Sequence, residues 1–344
     1  MKRYRVALAG YYGFGNLGDE LLAEAAISAL LRCGIGRERI VLITAAPEES
    51  MQKFGVDSVN RWKVSQVCLT LLQSETLLLG GGGLFQDVSS LRSCFYYWWL
   101  IRTARFCGAV PWALGQSVGP LSTRMGRRLT RDALKCCRAV QVRDAASEAL
   151  CASLGLSVET GDDIVLSLAD SFTGRASDDN APPPAKELLV NLRPDGRGLK
   201  KHALAERFAD AVSTYSASYR GELVGVALSK EDERLMSRFS QEGRLPVSRI
   251  EHVATLSDAL RVFCASRGAA AFGMRLHFLV LGAMARIPLV AAPYDPKVES
   301  FALKQDIPVW QDGPLPVPFP ASFPSDLPDR VRGNIDALCR KILS

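Results

Sequence analysis

Short apolar runs alternate with amphipathic stretches along most of the chain. Arg5–Ala9 (RVALA) is strand-like and is followed by a helical pattern over Glu20–Arg32, then by a second strand-like run, Ile40–Thr44. Thr76–Leu79, Val110–Leu114, Ala139–Val142 and Ile164–Ser167 repeat the apolar theme, with helix-like segments between them. A second series begins further on. Leu188–Asn191, Glu222–Ala227, Gly268–Phe272 and Pro288–Ala292 read as strands, and Asp329–Leu343 as a closing amphipathic helix. Strands that alternate with helices predict parallel sheets covered by helices.

Between the two series lies SFTGRASDDNAPPPAK (171–186), polar and with three successive prolines, the composition of an interdomain linker. The expected organisation is therefore an N-terminal Rossmann-like domain over 1–172, a linker over 173–186, a second Rossmann-like domain over 187–328, and a closing helix over 329–344. The fold class is α/β, with two Rossmann-like domains facing a central cleft. Ligands then belong at the carboxyl ends of strands.

Composition narrows the classes. The 344 residues are 48% apolar and 23% charged, with a net charge of +6. The arginines are scattered along the sequence, which argues against nucleic acid as a partner. The charge suits an anionic small substrate or an anionic membrane surface. The nine cysteines form no CxxC pair and no metal-ligand spacing, and the start of the chain has no signal-peptide core. These features point to a reducing cytoplasm and to no bound metal. No stretch reaches the ~18 uncharged apolar residues of a membrane span. The best candidate, 269–293, is interrupted by Arg275, His277 and Arg286.

Three glycine or polar loops follow predicted strands. GYYGFGNLGDE (10–20) has the Gly13-x-Gly15-x-x-Gly18 spacing of a dinucleotide fingerprint. Two details oppose a dinucleotide. No acidic residue stands at the end of the second strand, which finishes Ile43-Thr44-Ala45-Ala46. Asp19 and Glu20 occupy the first helical turn, where a pyrophosphate would sit. A hydroxyl-rich neutral ligand would instead gain acceptors from Asn16 and Asp19, unless Asp19 serves only as a helix cap. The run Gly80–Gly83, which includes Gly82, leaves bare backbone at a strand end, with Asp87 a few residues later. Arg92 follows among Phe95, Tyr96, Tyr97, Trp98 and Trp99, rings that suit sugar faces or a buried helix core. Gln116 lies in the third loop, Gly115-Gln116-x-x-Gly119-Pro120.

The basic chemistry concentrates in AAAFGMRLHFLVLGAMARIPLVAAPYDPKV (269–298). A strand ends at Phe272, Gly273 turns the chain, and Arg275 and His277 fall at the start of a helix. Free backbone N–H groups, the positive end of the helix dipole and two donor side chains make an anion site. Lys297 follows the next strand, and Arg143 follows Ala139–Val142 in the first domain. His277 could equally be a satisfied core histidine.

These stretches together resemble the polysaccharide pyruvyl transferases, and within them the CsaB-type enzymes of cell-wall polymer synthesis. The resemblance rests on GYYGFGNLGDE, GGGGLFQDVSSLRSCFYYW, GQSVGP, VRDAASEAL and FGMRLHFLVLGAMARIPLVAAPYDPKV, from residue 10 to about 300. It implies a GT-B-like fold with an acceptor side in the N-terminal domain and a donor side in the second. It implies transfer of the pyruvyl group of phosphoenolpyruvate, without a cofactor, to a sugar as a 4,6-ketal. The expected acceptor is β-linked N-acetylmannosamine on a lipid-linked disaccharide, which would suit a cytoplasmic enzyme in peripheral contact with the inner membrane leaflet. It places phosphoenolpyruvate on Arg143, Arg275, Leu276, His277 and Lys297. The catalytic candidates are then His277 as acid or phosphate partner, Arg275 for charge, and Asp19 or Asp87 to orient or deprotonate the sugar hydroxyls. Asn16, Asp19, Gly82, Asp87, Arg92 and Gln116 form the expected acceptor set. The family's aspartate-proline pair is replaced here by Asp163-Ile164, so no role is carried onto Asp163. The competing reading is a nucleotide-sugar-dependent glycosyltransferase of GT-B fold.

Overall fold

The structure is a computed structural model that describes residues 2–88, 90–173, 187–195, 203–219, 221–265 and 270–343. From residue 174 onward, the expected linker lies outside the described residues, as do Gly268 and Ala269 of the strand expected to open at Gly268.

The chain divides into two compact units. The first comprises residues 1–14, 19–167 and 329–344, the second 15–18 and 168–328. The first unit carries β1 (Tyr4–Ala9), α1 (Leu17–Arg32), β2 (Ile40–Thr44), α2 (Pro47–Phe54), β3 (Asp57–Asn60), α3 (Val64–Leu72), β4 (Ser74–Phe85), α4 (Arg92–Phe106), β5 (Val110–Val118), α5 (Arg124–Lys135), β6 (Val140–Val142), α6 (Ala145–Ser153) and β7 (Glu159–Thr160). Among the described residues the sheet has the order β3-β2-β1-β4-β5-β6-β7, parallel throughout. β1, β2 and β4 are buried on both faces, which explains why they read as continuous apolar runs rather than as alternation. Val67, Leu71, Leu100, Ile101, Ala133 and Leu134 of α3, α4 and α5 share one core with the sheet.

The second unit carries α7 (Asp170–Thr173), β8 (Glu187–Asn191), α8 (Ala203–Ala217), β9 (Glu222–Ala227), α9 (Lys230–Gln241), β10 (Arg249–His252), α10 (Leu256–Ala265), β11 (Ala271–Gly273), α11 (Leu276–Met284), β12 (Pro288–Ala291), α12 (Pro296–Lys304) and β13 (Phe319–Pro320). Among the described residues its sheet has the order β10-β9-β8-β11-β12-β13, with only the edge strand β13 antiparallel. The final helix, α13 (Leu327–Leu343), returns to the first unit. There Asp336 pairs with Arg32 at 2.9 Å, and the Ile342 carbonyl accepts from Arg5.

Three expectations are corrected. Ile164–Ser167 is not a strand but part of a 3₁₀ turn, Ile164–Leu168. Its apolar side chains are buried in either form, so the apolar run alone could not decide. The Asp163 carboxylate accepts from Val165 N, and Ser167 Oγ donates to the Ile164 carbonyl, both local bonds that favour a turn. The Gly80–Gly83 run is not a loop: β4 continues through it to Phe85, with a register shift against β5 between Gly82 and Phe85. Gly81 and Gly82 take φ of +95° and +97°, which only glycine adopts without strain. Gly115–Val118 likewise belongs to β5, not to a loop.

Asp87 is the tie between the end of β4 and the start of α5. Its carboxylate accepts from the N–H and hydroxyl of Ser122 and from the N–H and hydroxyl of Thr123. Thr123 in turn caps α5 by accepting from Gly126 N at 2.9 Å. Burial works to raise the carboxyl pKa, but the bonds from Thr123 and Ser122 outweigh it and hold it below its ordinary value. Asp87→Asn turns acceptor positions toward donors and is expected to cost about 2–3 kcal/mol in denaturant melts. A depressed carboxyl stabilises fully above the unfolded value and loses that contribution as the pH falls through the folded one. The gap between the two proteins should therefore hold at neutral pH and shrink below about pH 3.9. An unchanged midpoint would show that the tie is not structural.

Candidate functional site

The first glycine loop is built around side chains of the protein itself. A Cβ at Gly13 would lie 2.4 Å from Thr44 Oγ1 and 2.5 Å from Ala46 N, and the residue has φ +78°. Gly13 N donates to Glu20 Oε1 at 2.8 Å, and Lys53 stands 3.6 Å from the same carboxylate. An amide that a phosphate would need is thus occupied by a carboxylate. Burial, partly offset by Lys53, raises the Glu20 carboxyl. Residues 15–18 belong with the second unit, where Leu17 N donates to the Leu228 carbonyl at 2.9 Å. The third fingerprint glycine, Gly18, lies directly against His277: a Cβ there would stand 2.0 Å from Nδ1. The glycine makes room for an imidazole, not for a pyrophosphate.

In the second unit, the carboxyl ends of β8, β9, β11 and β12 bring polar residues together. β11 pairs in parallel with both β8 and β12, with Gly273 opposite Asn191 and Ala291. Arg275 is the N-cap residue of α11, with extended backbone, and His277 lies one residue inside the helix. Arg275 N donates to Asn191 Oδ1. Its guanidinium grips Asp232 with Nε and Nη2, both at 2.6 Å, and Nη2 also donates to Ser229 Oγ. Asp232 is fully buried, so the pair is desolvated and its plane is fixed. Leu276 is buried. Lys297, in the first turn of α12, lies 3.3 Å from Asp295, the cap residue of that helix.

Arg143 follows β6 in the first unit. It is buried, with Nη1 donating to Asp163 Oδ2 at 2.6 Å and Nε to Ser117 Oγ at 2.7 Å. Arg143, Arg275 and Lys297 are all ion-paired. Each comes with its own aspartate: Asp163, Asp232 or Asp295. In the second unit, Arg275 and Lys297 sit at helix starts with their positive charge matched by Asp232 and Asp295.

On the first unit, Asp19 lies against the glycine strand, its Oδ1 3.3 Å from where a Cβ of Gly82 would stand. Arg92 is exposed at the start of α4, and Asn16 lies in the 15–18 segment. Two expected acceptor residues do not fit that role. Gln116, on β5 opposite Gly82, is fully buried and donates to the Leu79 and Leu114 carbonyls. Asp87 is consumed by its four hydrogen bonds. Of the aromatic run, Tyr97 is buried, Tyr96, Trp98 and Trp99 are half-buried, and Phe95 is exposed.

Sequence reasoning named Asp163 without giving it a role, and missed Asp232 and an aromatic cluster around Arg61. Arg61 is buried, donates to the Gly10 carbonyl at 3.0 Å, and lies 4.1 Å from the Tyr96 ring and 5.1 Å from Phe14. Tyr11 and Phe14 stack at 4.0 Å, and Trp62 meets Phe14 edge-on while remaining 63% exposed. Burial raises the Tyr97 phenol strongly, with Arg61 pulling it back. The only signal in the sequence was the RW pair after a short polar strand, too slight to single out.

Solved structures of low identity share the architecture. UDP-GlcNAc 2-epimerase from Methanocaldococcus jannaschii aligns over 98% of this chain and 99% of its own, with 7% identity and a TM-score of 0.59. S. aureus MnaA, solved with UDP, aligns over 99% and 88% with 10% identity and a TM-score of 0.57. A glycosyltransferase from Rickettsia africae aligns over 99% and 94% with 9% identity and a TM-score of 0.54. The fold is thus the two-domain α/β arrangement of GT-B glycosyltransferases and epimerases. No curated protein matches the chain. The model of the polysaccharide pyruvyl transferase family matches residues 16–296, and the chain belongs to that family. Among the described residues, no helix is long and apolar enough to cross a membrane.

Proposed function

We propose that this polysaccharide pyruvyl transferase takes its pyruvyl group from phosphoenolpyruvate and installs it as a 4,6-ketal on β-linked N-acetylmannosamine of a lipid-linked disaccharide, in cell-wall polymer synthesis. The observation that carries the reading is the α11 start: Arg275, locked by Asp232, beside His277 and Leu276, with Lys297 at the next helix start on the neighbouring strand. Two helix N-termini, a fixed guanidinium, an imidazole and an ammonium suit a small molecule bearing a carboxylate and a phosphate. Arg143, in the first unit, is the fifth donor residue of the reading.

The chemistry balances without an added cofactor. An acid protonates C3 of the enol, and a sugar hydroxyl attacks C2. The C2–O bond to phosphate breaks, and the second hydroxyl closes the ring. The two hydroxyl protons balance the one gained by C3 and the one taken up by the leaving phosphate. His277 is the acid of this scheme. Asp19, against the Gly82 backbone, orients the sugar hydroxyls. The exposed rings of Tyr11, Phe14 and Trp62 offer a floor for the apolar face of the acceptor.

His277→Ala is expected to lower phosphate release and ketal formation together, by at least ~100-fold, when the protein is given phosphoenolpyruvate and a synthetic lipid-linked disaccharide. Normal turnover by that variant would remove His277 from the chemistry. Thermal stabilisation by phosphoenolpyruvate, and not by UDP or GDP, separates this reading from a nucleotide-sugar glycosyltransferase.

A further inference from the structure

The cations scattered along the sequence gather on one face of the first unit. Residues 61–138 hold eleven Lys and Arg against Glu75, Asp87 and Asp132, a net of +8 where the entire chain carries +6. The remainder of the chain is therefore slightly acidic. α3, α4 and α5 cover one side of the sheet, joined through the same core. On α5, Arg124, Arg128, Arg131 and Lys135 are exposed, and α4 adds Arg102 and Arg105. Among the described residues, none of these six has a carboxylate at ion-pair distance. Elsewhere arginines are commonly paired, as Arg5 and Arg39 are with Glu75 and Arg249 is with Glu187 and Glu222. The single carboxylate on these three helices, Asp132, accepts from Trp98 Nε1 at 2.6 Å.

The same helices expose large apolar side chains. Phe106 is 93% exposed, and Phe95 of α4 and Leu69 and Leu72 of α3 are each more than half exposed. Unpaired cations interleaved with exposed aromatic and aliphatic side chains match a bilayer surface, whose anionic headgroups attract the charge and whose interface receives the apolar groups. A nucleic acid would use the charge and leave Leu69, Leu72 and Phe106 without a role.

We propose that the outer face of α3, α4 and α5 docks the enzyme on an anionic phospholipid bilayer. The proposal deepens the acceptor reading, because a lipid-linked sugar is presented at such a surface. Its test reads no chemistry, so vesicle binding and pyruvyl transfer can fail independently.

The experiment is cosedimentation of the full chain with vesicles of phosphatidylcholine containing about 30% phosphatidylglycerol, against phosphatidylcholine alone. Binding to the anionic vesicles should be at least tenfold tighter at low ionic strength and should fall away by roughly 0.5 M salt. Arg124→Glu combined with Arg128→Glu and Arg131→Glu should lose at least tenfold, and Phe106→Ser should lose severalfold without changing the salt slope. All four positions are on the surface, so the fold should persist, which circular dichroism would check. Wild-type protein that ignores anionic vesicles, or a triple variant that binds like wild type, overturns the proposal. So does tight binding of a nucleic-acid duplex that anionic vesicles do not displace.

Discussion

Gly18→Ala is expected to lower transfer at least ~100-fold while the protein remains folded. The added Cβ would stand 2.0 Å from Nδ1 of His277, 2.7 Å from Cγ and 2.8 Å from Cε1. No Cβ sits that close to a ring, so either the imidazole or residues 15–18 must move. His277 is anchored on α11, whose remaining residues are buried, so the ring itself rotates away from its working position. Gly333→Ala in α13 is the control, since nothing lies within 4 Å of a Cβ there. A helix interior favours alanine over glycine, and this variant should gain roughly 0.5–1 kcal/mol with unchanged activity. Equal activity of the two variants would mean that Gly18 does not set the imidazole. A Gly18→Ala protein that melts many degrees early would instead assign the glycine to stability.

Asp163→Ala is expected to cost about 3–5 kcal/mol. The change strands the Arg143 guanidinium, which is almost completely buried and donates to Asp163 at 2.6 Å. A buried charge without its partner costs far more than a missing hydrogen bond, whereas removal of both charges is often tolerated. Arg143→Met with Asp163→Leu should therefore recover most of the stability and none of the activity. Denaturant melts and phosphate-release rates on the single and double variants separate the two roles of Arg143. Recovery of both would show that Arg143 serves only the fold. A small loss in the single variant would show that the pair is wetter than its burial indicates.

Much of the architecture was legible because parallel strands buried on both faces are written as unbroken apolar runs. β2 matched its expected bounds, Ile40–Thr44, and β9 its bounds, Glu222–Ala227. β3 and β10 were missed, since each is a short, mostly polar strand with no fully buried residue. Ile164–Ser167 was misread because burial in a turn and in a strand selects the same residue types. At the candidate site, the placement of Arg275, His277 and Lys297 just after strands was legible. The carboxylate partners of Arg275 and Arg143 were not, because Asp232 lies 43 residues before Arg275 and Asp163 lies 20 after Arg143. Nothing in local pattern distinguishes a buried aspartate from a surface one.

The sequence by itself determined the alternation of strand and helix, the family, and the helix start that carries Arg275 and His277. These depend on neighbours in the chain, on periodicity and on motif spacing. Tertiary structure alone decided three things: that Arg143 and Arg275 are matched by distant aspartates, that Gly18 is spent on His277, and that scattered arginines become one charged face. Each depends on which remote side chains share a few ångströms, a property of packing that no local run of residues encodes.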